Sequence, residues 1–183
     1  MKSWTSELNN ITKQTISTFG TLSSEQLNWK PNPKTWSIAQ NIDHLIVVNE
    51  TYYPVLASLK EGKYRAPFIG KFSFLVSFLG KTILNAVGPY SQKKIKTFPI
   101  WEPSINQIEG DILRRFENHQ KELKQKIEDA KELVDKGTII SSPANRNIVY
   151  KLETAFDIIV SHEQRHLEQA KEVLGLLRNI TSH

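Results

Sequence analysis

The feature that most constrains this chain is a run of non-polar positions that repeats every three or four residues. Ile105, Ile108, Ile112, Phe116, His119, Leu123, Ile127, Ala130 and Val134 fall on one stripe, while Arg114, Lys121, Glu122, Lys124 and Glu128 fall opposite. A strand repeats every two residues and cannot sort such a pattern onto two faces, so the spacing predicts an amphipathic helix. Ser104 and Gln107 have the form of a capping box after Pro99 and Pro103, and Gly137 is a natural stop, which places this helix over 104–137.

The same period recurs elsewhere. Leu8, Ile11, Ile16 and Phe19 predict a helix from Trp4 to Phe19 that Gly20 ends. Ser23 to Pro33 reads as a connector with a short turn at Glu25 to Leu27, because its two prolines forbid a long helix. A second long helix is expected to begin at Thr35 to Ser37 and to run through Ile38, Ile42, Leu45, Ile46 and Val48 toward Leu59, kinked or divided by Pro54 and stopped by Gly62. Ser141 to Asn147 reads as a polar connector, after which Leu152, Phe156, Ile159 and Val160 open a last helix ending near Leu177. Four long amphipathic helices without strand alternation predict an all-α bundle, and 183 residues suffice for one domain over 1–183 with a substantial core.

Between the second and third of these helices lies an apolar insert, Arg65 to Pro89, rich in Phe68, Phe72, Phe74, Phe78 and aliphatic neighbours. A membrane span needs about 20 uninterrupted apolar residues, and Gly80 and Lys81 interrupt this run. The favoured expectation is one or two short helices that pack over an end of the bundle or form a dimer contact. A peripheral membrane protein using Phe68 to Val87 as its docking surface is a third-ranked reading, so membrane contact is not expected.

The formal net charge is +5, but basic residues are spread along the chain and mostly interleaved with acids. The densest basic patch, Lys93, Lys94 and Lys96, lacks alternating aromatics for base stacking, so no nucleic-acid partner is expected. Without cysteine there is no disulfide or thiolate site, and any metal must be held by imidazole and carboxylate. The first ten residues lack the apolar run of a secretory signal, and the expected location is the cytoplasm.

His162 and His166, four apart on a helix, project from one face and have a spacing that can chelate a metal. The pair alone is only suggestive, since two histidines on a half-exposed helix face look the same. His44 lies among the core positions Ile42, Leu45 and Val48, where a lone histidine is more often a satisfied core residue than a ligand, so its case depends on the other two. Three neutral imidazoles from two facing helices would leave coordination positions open, as catalytic zinc sites do. Gln40, Asn41, Glu163 and Gln169 are near enough in sequence to orient an imidazole, although a plain surface role is the commoner one. His119 sits on the apolar stripe, either lining a cavity or bonded to a neighbouring helix. Arg165 is a candidate partner for Glu168 or Glu102, Trp36 an anchor for the histidine helix, and His183 a residue without fixed structure.

Two stretches resemble a known family. Trp36-Ser37-Ile38-Ala39-Gln40-Asn41-Ile42-Asp43-His44-Leu45 and His162-Glu163-Gln164-Arg165-His166-Leu167-Glu168-Gln169 are similar to the two signatures of the DinB-like superfamily, and Leu27-Asn28-Trp29-Lys30-Pro31 resembles the lead-in to the first. The resemblance implies an up-down-down-up four-helix bundle, often dimeric, with a divalent metal site carried onto His44, His162 and His166 and occupied by zinc or nickel. It also implies metal-dependent chemistry on a small molecule, either thiol S-transfer with a low-molecular-weight thiol or hydrolysis. A non-catalytic bundle that binds metal or ligand is the alternative.

Overall fold

The computed structural model describes residues 3–88, 99–103, 107–109 and 111–181. Lys93, Lys94, Lys96, Ser104, Ile105 and His183 lie outside the described residues.

The chain is mainly helical. Helices α1 (Trp4–Phe19), α3 (Ile38–Glu50), α6 (Ile112–Asp129) and α8 (Leu152–Thr181) are the long amphipathic segments that carry the core. Each of α1 and α3 packs against both α6 and α8. Short helices α2 (Ser24–Asn28), α4 (Tyr53–Lys60) and α7 (Lys131–Asp135) extend or connect them, and α5 (Ser73–Val87) arises from the apolar insert. Leu8, Ile11 and Phe19 of α1 meet Phe116 and Leu123 of α6 and Phe156 of α8 in one buried cluster. Trp4 Nε1 donates to Asp157 Oδ1 at 2.8 Å, which ties α1 to α8 beside a Trp4–Phe156 edge contact.

The helix most deeply buried is α3, in which eleven of thirteen residues are buried. Its start is set locally. Ser37 Oγ accepts from the Gln40 backbone N–H, and Gln40 Oε1 accepts from the Ser37 N–H, both at 3.1 Å, a reciprocal cap that satisfies two backbone donors inside the protein. Pro54 divides the expected second helix: α3 ends at Glu50, α4 begins at Tyr53, and Gly62 stops it with a φ of 67°, a left-handed conformation.

Two expectations fail. The helix expected over 104–137 begins only at Ile112 and breaks at Ala130 before α7. The reason lies in Asn28, whose Nδ2 donates to the Ile108 carbonyl and whose Oδ1 accepts from the Ile108 N–H, each at 2.8 Å. With both backbone groups of Ile108 satisfied across the fold, nothing drives that residue into a helical turn. The second failure is Ser141 to Asn147, which is no connector. Strands β1 (Ile139–Ser142) and β2 (Asn145–Lys151) form an antiparallel hairpin, with Ile140 opposite Tyr150 and a register shift after Ser141. Short strands around a two-residue turn leave no run long enough to show alternation, and Ile148-Val149-Tyr150 does not alternate at all.

The hairpin is where the insert docks. Helix α5 packs on β2 and α8 through Val76 and Gly80, and a 3₁₀ turn over Phe68–Lys71 precedes it. A Cβ on Gly80 would lie 3.1 Å from both Thr154 Cγ2 and Tyr150 Cβ. Gly80→Leu is therefore expected to force α5 off its seat at a cost of about 1–3 kcal/mol, read as a lowered Tm. An unchanged Tm would contradict this packing.

Candidate metal centre

His162 and His166 stand one turn apart on α8, and the packing of α3 along α8 brings His44 against them. His162 Nε2 lies 3.3 Å from His44 Nε2 and 3.1 Å from His166 Nε2. Each ring offers a ligand atom within 4.8 Å of the other two. Two nitrogens bound at about 2.0–2.1 Å to a common ion, at angles between octahedral and tetrahedral, would be about 2.8–3.4 Å apart. The observed separations fall in that range.

Hydrogen bonds on the far side of two rings set which nitrogen faces inward. His44 Nδ1 donates to the Trp101 carbonyl at 2.6 Å. A carbonyl can only accept, so the proton is on Nδ1 and the Nε2 lone pair is bare. Asn41 Nδ2 donates to the Ser37 carbonyl at 2.9 Å, which turns its Oδ1 toward His166, whose Nδ1 donates to it at 2.8 Å. The cap that starts α3 thus also orients the amide that fixes the His166 tautomer. Two bare lone pairs point at His162 Nε2, whose single proton could answer only one of them. A cation answers all three, so the donor set fits a divalent metal.

Burial reinforces this state. It lowers the pKa of His44 to about 4 and that of His162 to about 3, and holds His166 well below the ordinary imidazole range, with the neighbouring histidines adding to the last two. All three rings are neutral near pH 7, the form that binds metal. Trp36 closes one side, its ring stacked on His166 with centroids 5.7 Å apart and tilted against His44 at 4.9 Å. Trp36 also lines a surface cavity of about 470 Å³ together with Lys30, Lys34, Gln40 and Glu102.

Other candidates resolve differently. Of the four proposed orienting residues, Asn41 is the one that hydrogen-bonds an imidazole among the described residues. Gln40 caps α3, and Gln169 makes no hydrogen bond to the cluster among the described residues. Glu163 is fully buried but faces away, accepting from Asn49 Nδ2 at 2.7 Å and Gln120 Nε2 at 2.6 Å. Arg165 donates to the Ala86 carbonyl, and Glu168 pairs with Lys171. The Trp101 carbonyl, at the end of a 3₁₀ turn over Pro99–Trp101, was not legible in the sequence, because a backbone acceptor carries no residue-type signal.

His119 takes no part in the cluster. It accepts at Nε2 from Asn49 Nδ2 at 3.3 Å, and its Nδ1 donates to the Tyr53 hydroxyl at 3.2 Å, so it joins Glu163 in a second buried polar network across α3, α6 and α8. Burial raises the Glu163 pKa to about 7.

Fold and cluster together define a mainly helical protein with a tris-imidazole site able to accept a divalent cation. The chain belongs to the DinB superfamily, whose family model matches residues 7–170. No curated protein and no solved structure gives a significant match.

Burial lowers the His119 pKa to about 4 from 6.5. The folded protein therefore binds this proton less readily than the unfolded chain, so the contribution is level above pH 6.5 and stability falls as the pH drops from 6.5 toward 4. Urea denaturation should show this decline to be shallower in His119→Gln, by up to about 1.4 kcal/mol per pH unit for one proton. Equal slopes would contradict the assignment.

Proposed function

We propose that His44, His162 and His166 hold one divalent metal ion, zinc or nickel, through their Nε2 atoms, and that the protein is a metal-dependent enzyme acting on a small molecule by thiol S-transfer or hydrolysis. The convergence of three Nε2 atoms, with His44 and His166 held in the ligating tautomer from behind, carries this reading. A divalent ion bound there supplies Lewis acidity, which lowers the pKa of a water or thiol toward neutrality and polarises a substrate oxygen. Trp101 and Asn41 keep two rings in register, while Trp36 shields them beside a cavity of small-molecule size. On this reading the chain is one unit over 1–183 in the up-down-down-up arrangement of its family, located in the cytoplasm and able to form a homodimer.

One observation favours a second reading, a non-catalytic bundle that binds metal or ligand. Among the described residues no carboxylate joins the three histidines, and the two adjacent to them in sequence are engaged elsewhere, Asp43 with Arg115 and Glu163 with Asn49 and Gln120. The two readings share the metal and differ in turnover.

Elemental analysis of protein purified without an affinity tag is expected to find about one divalent ion per chain, and His162→Ala, with an unchanged circular dichroism spectrum, is expected to lose it. Full metal content in that variant would overturn the site. Asn41→Ala should weaken metal affinity about 10- to 100-fold, since it removes the acceptor that orients His166. Metal-dependent turnover in a screen of thiols against electrophiles and of hydrolysable esters and amides would select the enzyme, and its absence the binding protein.

A further inference from the structure

Among the described residues, the stretch 62–101 contributes only the Trp101 carbonyl to the hydrogen bonds of the histidine cluster, and its composition differs from that of the rest of the chain. Basic residues elsewhere are interleaved with acids, but from Gly62 to Trp101 there are seven Lys and Arg and no Asp or Glu. With seven of 24 basic residues and none of the 19 acids in this stretch, the remainder of the chain is net −2, and the whole positive charge of the protein originates here.

The same stretch holds the three most exposed large hydrophobic side chains among the described residues. Phe68, Phe74 and Phe78 are 69%, 67% and 66% exposed, and Phe72 is 41% exposed. Helix geometry explains the arrangement. Val76 and Gly80 face the hairpin and α8, which leaves Phe74, Phe78 and Lys81, spaced by four and three residues, along the outer side of α5. Lys71 Nζ stands 5.1 Å from the centre of the Phe68 ring. Neither Lys71 nor Lys81 has a carboxylate partner among the described residues.

We propose that this face is a docking surface for an anionic lipid membrane, with the phenyl rings of Phe68, Phe74 and Phe78 in the interfacial layer and Lys71 and Lys81 against headgroup phosphates. The expected packing of the insert holds for the inner side of α5, which sits on β2 and α8, and the proposed surface is the side that this packing leaves uncovered. From Phe68 to Lys81 the only ionised side chains are Lys71 and Lys81, and charge of a single sign there calls for an anionic partner and sets a second copy of this surface against itself. Rings two-thirds exposed line no groove, and a fluid interface can surround them where a preformed protein surface would need matching pockets. Attachment is peripheral, because no helix among the described residues is long and apolar enough to cross a membrane.

The test is co-flotation of the full chain with vesicles of phosphatidylcholine containing about one-third phosphatidylglycerol, set against pure phosphatidylcholine. Binding to the anionic vesicles is expected to weaken as salt is raised, and to fall at least about ten-fold in Phe74→Ser/Phe78→Ser and in Lys71→Glu/Lys81→Glu. All these side chains are exposed, and an unchanged Tm confirms that each variant is folded. The proposal is overturned if the native chain does not float, if it binds both vesicle types equally, or if either double variant binds as the native chain does. It is also overturned if sedimentation shows a dimer that Phe74→Ser/Phe78→Ser dissociates and that does not float.

Discussion

Two hydrogen bonds, from His166 Nδ1 to Asn41 and from His44 Nδ1 to the Trp101 carbonyl, govern what the α3–α8 interface can do. Without them the three rings would be buried histidines free to choose a tautomer and to satisfy one another. With them, two lone pairs are committed inward, each on a nitrogen 3.1 to 3.3 Å from His162 Nε2. The rest of the interior is arranged around that commitment: α3 is buried on nearly every side, its first turn supplies the cap that holds Asn41, and Trp36 just ahead of the cap covers the rings.

The interior of this protein is unusually polar where α3, α6 and α8 meet. Separate from the histidine cluster, Asn49, His119, Gln120 and Glu163 form a second network that shares helices with the first but no side chain. Adjacent residues on α8 thus serve different systems: His162 faces the cluster and Glu163 the network, as the 100° step of a helix requires. A carboxylate so close in sequence to a ligand invites assignment as its base, and the geometry refuses it.

Much of this was legible in the residues. The three-to-four period marked every long helix, the four-residue spacing of His162 and His166 marked one edge of the cluster, and the Trp36 to Leu45 stretch marked the other. What escaped had physical reasons. The hairpin at 139–151 is too short to display a period, and its two central strand residues are apolar on both faces because α5 covers one of them. The late start of α6 depends on Asn28, 80 positions away. The Trp101 acceptor is a backbone atom, and hydrophobicity alone does not say which phenylalanines of the insert a helix turns outward.

Membership of the DinB superfamily narrows the site far more than the reaction, so the central claim is about coordination. X-ray absorption on the full chain loaded with one equivalent of zinc tests it most directly. A first shell with about three imidazole nitrogens at about 2.0–2.1 Å is expected, reduced by one in His44→Ala. A shell dominated by oxygen, or one that His44→Ala leaves unchanged, would contradict it.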